Sequence, residues 1–220
     1  MASTRRSSPC CPPVRTSWSW CAPWRREPDV ARRTTPERIV DAAVRLFAAK
    51  GFDATTVQEV VEAASVTKGA LYHYFGSKDD LLYEIYRSLI ERQMADLDRI
   101  IAAGEDAATT VRRIVVSLVE TTAESVDETA VFVREMHKLG ADRMANFRAE
   151  RRRYHETFRA VVEKAQADGT FSSRVPADTA VLIALGVVNQ LPTWYRPDGP
   201  KPPDRLATEI ADFVLAGLHP

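Results

Sequence analysis

Thr55-Thr56-Val57-Gln58-Glu59-Val60-Val61-Glu62-Ala63-Ala64-Ser65-Val66-Thr67-Lys68-Gly69-Ala70-Leu71-Tyr72-His73-Tyr74-Phe75-Gly76-Ser77-Lys78 carries two short helical patterns joined by a tight turn. Thr56 followed three residues later by Glu59 is a capping box. Val57, Val60 and Val61 then recur at helical spacing, and the pattern stops near Ala64. Thr67 is placed to cap a second helix from Lys68 to about Phe75, with Leu71 and Phe75 as its inward pair. Gly76-Ser77 ends that helix, and Ser77 caps the next. The second helix opens with small and basic residues and carries two tyrosines and a histidine. A short, protruding helix of this make-up suits the major groove of duplex DNA, whereas an enzyme would want a pocket here.

Working outward, almost everything after residue 33 has a helical period. Thr35-Pro36-Glu37 is a start signal: a capping hydroxyl, a proline at the first helical position and an acid near the positive end of the dipole. Ile39, Ala43, Leu46 and Phe47 form its apolar stripe, and Gly51 stops it behind Lys50. After Ser77, apolar residues from Leu81 to Ile101 keep the period to about Ala103, where Gly104 breaks it. Further helices are expected over 107–125, 129–139, 142–168 and from Pro176 through Val188, to about 191. A proline-rich link, 195–203, precedes a last helix over 204–216 with Gly217 as its stop. No strand alternation of useful length and no internal repeat is present. The expected fold class is all-α: a three-helix, helix-turn-helix head over 34–81 and a helical effector-binding and dimerisation domain over 82–220, preceded by a tail over 1–33.

Thirty Lys and Arg balance thirty Asp and Glu, so the formal charge of the 220 residues is zero. The balance is uneven along the chain. Before Thr34, seven arginines face only Glu27 and Asp29, a net +5, so the remainder carries −5. A basic arm on an acidic body can still bind nucleic acid, because phosphate contact is local. The tail is crowded with Ser, Pro, Arg and Trp and holds Cys10, Cys11 and Cys21, a spacing that is not a zinc site. It reads as a disordered segment, or else as an arginine arm for the minor groove with Arg32 and Arg33 as its candidates. No apolar run is long enough for a membrane span or a secretory signal, which points to the cytoplasm and to no membrane partner. His73, His137, His155 and His219 are scattered, without metal-site spacing, nucleophile elbow or phosphate loop, so neither catalysis nor a cofactor is expected.

Thr34 to about Leu82 resembles the DNA-binding head of the tetracycline-repressor (TetR) family of bacterial regulators. The resemblance rests on Ile39, Ala42, Leu46, Phe47, Gly51, Thr56, Val57, Ala63, Ala64, Val66, Lys68, Gly69, Leu71, Tyr72, Tyr74, Phe75, Lys78, Leu81 and Leu82. That family usually has glycine in the turn, where this chain has Ser65, so a strained turn is expected. The resemblance implies a homodimer that reads a palindromic operator, and a C-terminal domain that binds a small effector and changes the spacing of the two heads. On that frame Thr56 meets a phosphate at the start of its helix, and Thr67 and Lys68 lie against the groove. Gly69 admits the DNA backbone closely, and Tyr72 and His73, one turn on, touch phosphate or a thymine methyl. Lys78 is expected at a phosphate. Phe75 is read as core, and Tyr74 is left between core and surface.

In the segment 142–168, Met144, Phe147, Tyr154, Phe158, Val161 and Ala165 form a stripe, and Arg151 falls on it. A buried arginine requires a partner. Glu135 on the preceding helix is the structural choice; the alternative is an anionic effector, with Arg152 or Arg153 helping at the rim. Phe132, Met136, Phe147, Tyr154, Phe158 and Trp194 are candidates to line an apolar effector cavity, against a plain helical core. The run Pro192–Pro200 resembles the branch of the family that controls lipid, steroid or aromatic-acid catabolism by sensing acyl-CoA thioesters. Residues 177–191 and 204–216 are expected to build the dimer's four-helix bundle through Leu182, Ile183, Leu185, Val188, Leu206, Ile210, Phe213 and Val214. The expected function is thus a ligand-responsive regulator, a repressor released by a hydrophobic or acyl-CoA-type effector. The competing reading is a DNA-binding or architectural protein without an effector.

Overall fold

Side-chain caps set the starts of four helices in the computed structural model, which describes residues 33–219. Among these residues there are nine α-helices and no strand: α1 (Thr35–Lys50), α2 (Val57–Ala64), α3 (Lys68–Tyr74), α4 (Lys78–Ala102), α5 (Ala107–Glu124), α6 (Val126–Glu135), α7 (Ala141–Ala167), α8 (Ala177–Trp194) and α9 (Pro203–Leu218). The expectations for the tail fall outside the described residues, except Arg33, whose guanidinium pairs with Asp41 on α1. Thr56, Thr67, Ser77 and Asp106 each accept a backbone N–H three residues on, satisfying an orphan donor of the first turn.

Several boundaries differ from expectation. The cap of α1 is Thr34, not Thr35: the Thr34 N–H donates to Glu37 Oε2 at 2.8 Å, which puts Pro36 one position deeper. The helix expected over 129–139 begins at Val126, because Ser125 both closes α5 and opens α6. It ends at Glu135 in a short 3-10 turn, Met136–Lys138. α8 continues through Pro192 to Trp194. A proline in a last turn sacrifices one carbonyl partner, and Tyr195 N–H still closes on Leu191 O at 2.8 Å. Gly217 does not stop α9; Leu218 beyond it is buried, and its carbonyl accepts Ser172 N–H at 2.9 Å, so tertiary contact holds the final turn.

The turn of the helix-turn-helix is strained as expected. Ser65 sits at φ 53°, ψ 48°, and no other non-glycine among the described residues has a positive φ. Arg38 on α1 compensates: its Nη2 donates to Ala64 O at 2.5 Å and Ser65 O at 3.0 Å, tying the turn to the helix behind it. Relief of the left-handed strain is worth about 1–2 kcal/mol, against about 0.5–1 kcal/mol of added unfolded-state entropy. Ser65→Gly is therefore expected to raise the unfolding free energy by roughly 0.5–1 kcal/mol, measured by urea titration. A destabilised Ser65→Gly protein would mean that the turn is not under strain.

The buried residues run in one contiguous cluster from Ile39 on α1 to Leu218 on α9. The boundary placed at 81/82 falls inside α4, which leaves the head and enters the body without a break. Head and body therefore share a rigid element rather than a linker.

Candidate nucleic-acid interface and effector cavity

α3 is fastened by its inward residues alone. Leu71 is fully buried and Phe75, at its end, nearly so, while Thr67, Lys68, Gly69, Tyr72 and His73 are exposed together. The Lys68 ammonium stands 5.9 Å from the Tyr72 ring centre. A Cβ on Gly69 would meet only the Thr67 hydroxyl, at 3.9 Å, so nothing inside the subunit requires glycine there. Tyr74 is 49 % exposed and packs edge-on against His73, with ring centres 4.9 Å apart. The sequence left it undecided because the i, i+3 and i+4 positions of so short a helix do not settle which side meets the core. Thr56 is exposed at the start of α2, its hydroxyl donating to Glu59 at 2.8 Å. Bonds from Lys50 and then Thr56 hold the Glu59 carboxyl down at about 2, so this cap stays ionised at any physiological pH.

Lys78 is engaged within the subunit. Its ammonium donates to Phe52 O at 2.7 Å and Thr55 O at 3.0 Å and lies 4.2 Å from the Phe52 ring centre. Two of its three donors thus brace the loop between α1 and α2, leaving one for a phosphate.

That loop is the seam between head and body. Phe52 carries a second ammonium on its ring, Lys138, at 5.3 Å. Glu135, 5 % exposed at the end of α6, accepts from Phe52 N–H at 3.3 Å, Arg134 Nε at 2.9 Å and Lys138 Nζ at 3.0 Å. Arg134 also donates to Phe47 O, and Lys138 pairs with Asp53 at 2.5 Å. Glu135 is therefore not the partner of Arg151. It is consumed by the head, 83 residues away in sequence.

Arg151 turns instead into a cavity of about 300 Å³ walled by α4, α5, α6, α7 and α8. Its Nη1 donates to Asn189 Oδ1 at 3.1 Å, and its guanidinium lies 5.7 Å from the Phe147 ring centre. Burial pushes its pKa down, opposed by Tyr86; among the described residues no carboxylate forms an ion pair with it. Tyr86, Phe132 and Phe147 form an aromatic wall, with ring centres 4.5–4.8 Å apart.

Of the residues expected here, Phe132, Met136, Phe147 and Arg151 line the cavity. Tyr154, Phe158 and Trp194 do not: the first two are buried core beneath α7, and Trp194 is 47 % exposed at the end of α8. The α7 stripe holds at Phe147, Tyr154, Phe158 and Ala165, while Val162 rather than Val161 is the fully buried valine. Sequence reasoning missed Tyr86, Gln93, Thr122, Thr129, Asn189 and Gln190. Asn189 and Gln190 were the legible ones, two side-chain amides directly after an apolar run of α8.

The apolar positions of α8 and α9 divide. Val188, Leu206 and Val214 are buried within the subunit, whereas Leu182, Ile183 and Phe213 are 55 %, 49 % and 71 % exposed. Among the described residues no helix is long and apolar enough to cross a membrane, and no group of three His, Cys, Asp or Glu could hold a metal.

Comparison with known proteins places both halves of the chain. Residues 39–85 match the model described as bacterial regulatory proteins, tetR family, and residues 104–218 match the tetracyclin repressor-like C-terminal domain. The HTH-type transcriptional repressor KstR2 of Rhodococcus jostii (strain RHA1) is 30 % identical over 188 residues, covering 85 % of this chain and 91 % of the relative. Among solved structures, the TetR family transcriptional regulator PfmR from Thermus thermophilus is similar with a TM-score of 0.76 at 30 % identity, covering 83 % of this chain and 100 % of that one. AibR, in complex with isovaleryl coenzyme A and operator DNA, is similar with a TM-score of 0.70 at 23 % identity, covering 85 % and 99 %.

Proposed function

Since the chain belongs to the tetracycline-repressor family of bacterial transcriptional regulators, we propose that it is a cytoplasmic, ligand-released repressor that binds a palindromic operator as a homodimer. The observation that carries the reading is the exposed surface of α3, with Thr67, Lys68, Gly69, Tyr72 and His73 presented together and engaged with residues of α3 itself. Tyr74 joins this surface. Thr56 and the remaining donor of Lys78 supply phosphate contacts at its flanks, which orient the helix without reading sequence. Two copies joined through α8 and α9 set the heads a fixed distance apart, so the operator's half-sites repeat at one helical turn or a multiple.

The cavity beside Arg151 is the effector site. An unpaired guanidinium behind an aromatic wall favours an apolar molecule with an anionic end. An acyl-CoA thioester is the class we favour, in keeping with the run Pro192–Pro200, and AibR accommodates isovaleryl coenzyme A on the same fold. Transmission to the DNA runs through α6 and the turn after it. Phe132, Val133 and Met136 face the cavity while Glu135, between them, holds the head. An occupant that displaces the α6 wall thus also displaces the anchor of the α1–α2 loop.

Fluorescence anisotropy on the fragment upstream of its own gene tests the DNA reading. Wild-type affinity is expected to fall steeply with salt. Lys68→Ala should reduce the log–log salt slope by roughly 2 for the dimer, one phosphate contact per subunit, and Tyr72→Ala should weaken binding by about tenfold or more. Salt-independent or absent binding to the fragment rejects it.

A further inference from the structure

One polar atom in the cavity wall has no task in the folded subunit. Thr129, in the first turn of α6, is 7 % exposed, lines the cavity, and its Oγ1 has no hydrogen-bond partner. A threonine in a helix ordinarily returns its hydroxyl to the carbonyl four residues back. Here the Ser125 carbonyl accepts only the Thr129 N–H, at 2.9 Å, and the hydroxyl is left over. The Tyr86 hydroxyl does not serve it, being directed at Phe147 O and Glu150 at 3.4 and 3.5 Å. Beside the side chains of Gln93, Thr122 and Gln190, the cavity wall thus holds a cation at Arg151, steadied by Asn189, and, at Thr129, a buried hydroxyl without a partner.

We propose that Thr129 Oγ1 reads an oxygen on the apolar body of the effector, so that the effector is a hydroxy- or oxo-substituted carboxylic acid or its thioester, not a plain hydrocarbon acid. This rests on the cavity being the effector site. Its size limits the body. A cavity of about 150 Å³ takes benzene, so about 300 Å³ takes roughly twelve heavy atoms. A nucleotide carrier must then lie outside the mouth. A hydrocarbon filling the same space leaves the Thr129 oxygen unpaired, whereas an oxygen on the body engages it, a discrimination of about ten- to a hundredfold.

Calorimetric titration with a matched series tests this: decanoate and the six monooxodecanoates with the ketone at carbons 4 to 9, each as free acid and as CoA thioester. One positional isomer is expected to bind wild type about ten- to a hundredfold more tightly than its decanoyl parent. Thr129→Val and Thr129→Ala, which lack the oxygen, should bind that isomer and its parent alike, while Thr129→Ser keeps the preference. Isomers no better than the parent, or a preference that survives in Thr129→Val and Thr129→Ala, overturn the role of Thr129 and leave the effector site standing. Wild type that binds none of the acids or thioesters overturns the effector reading itself, and the role of Thr129 with it.

Discussion

Phe213→Asp combined with Leu182→Asp is expected to leave the subunit folded and to convert the dimer to monomer. Both side chains are mostly exposed, so within the subunit the change costs about 0.5 kcal/mol or less. Across a two-fold interface each aspartate appears twice, and four carboxylates are pressed into what was an apolar seam. Buried anchors of this kind are worth about 2 kcal/mol or more each, so the dimer dissociation constant should rise by well over a hundredfold, read by sedimentation velocity. Operator affinity falls with it, because the second head no longer binds at the high effective concentration set by the first; roughly 10²–10⁴ of avidity is lost. Val188→Asp is the informative contrast. Val188 is 4 % exposed and lines the cavity, so a charge there should unfold or loosen the subunit itself rather than separate a pair of intact subunits. A double mutant that remains dimeric and binds its operator normally would show that α8 and α9 do not form the interface.

The second large effect is expected at Glu135. Glu135→Gln keeps the shape of the side chain and removes the charge that Lys138 and Arg134 share. Those two partners are themselves partly exposed, at 22 % and 49 %, which moderates the loss to about 2 kcal/mol at neutral pH. The pH dependence has a definite sign. Burial pushes the Glu135 carboxyl up, but the bonds from Lys138, Arg134 and the Phe52 N–H outweigh it, so the folded pKa lies below 4.5. A depressed carboxylate contributes stability that is fully present above the unfolded value and is lost as pH falls through the folded one. The gap between wild type and Glu135→Gln, from chemical unfolding, should be constant from neutrality to about pH 5 and close below 4.5. Amide exchange should quicken at Phe52 and Thr55 in the mutant at neutral pH, because the loop loses its tether to α6. Unchanged exchange there would show that the seam is held by the apolar contacts alone.

Much of this molecule was legible one segment at a time. The boxes and caps at Thr56, Thr67 and Ser77, and the strain at Ser65, follow from backbone groups that must be satisfied within three or four residues, so a reader of the chain can find them. The exposed surface of α3, Tyr74 apart, follows from the same local period. What could not be read were choices between distant partners. Period alone makes Leu182 and Val188 equally apolar, yet one faces solvent and the other the cavity. It also makes Glu135 as suitable for Arg151 as for the head. The outcome depends on which side of α6 meets α1, and that is settled by how the helices pack as rigid bodies, not by spacing along any one of them.

The chain by itself therefore determined the helices, most of their ends and the exposed second helix of the helix-turn-helix, since each rests on bonds between near neighbours. Only the tertiary structure decided that Glu135 anchors the head, that Arg151 bonds to Asn189 and not to Glu135, and that Thr129 is an unused hydroxyl in the same wall. A buried polar group takes its partner from whatever surface packing brings within about 3 Å, and no local pattern of residues carries that distance.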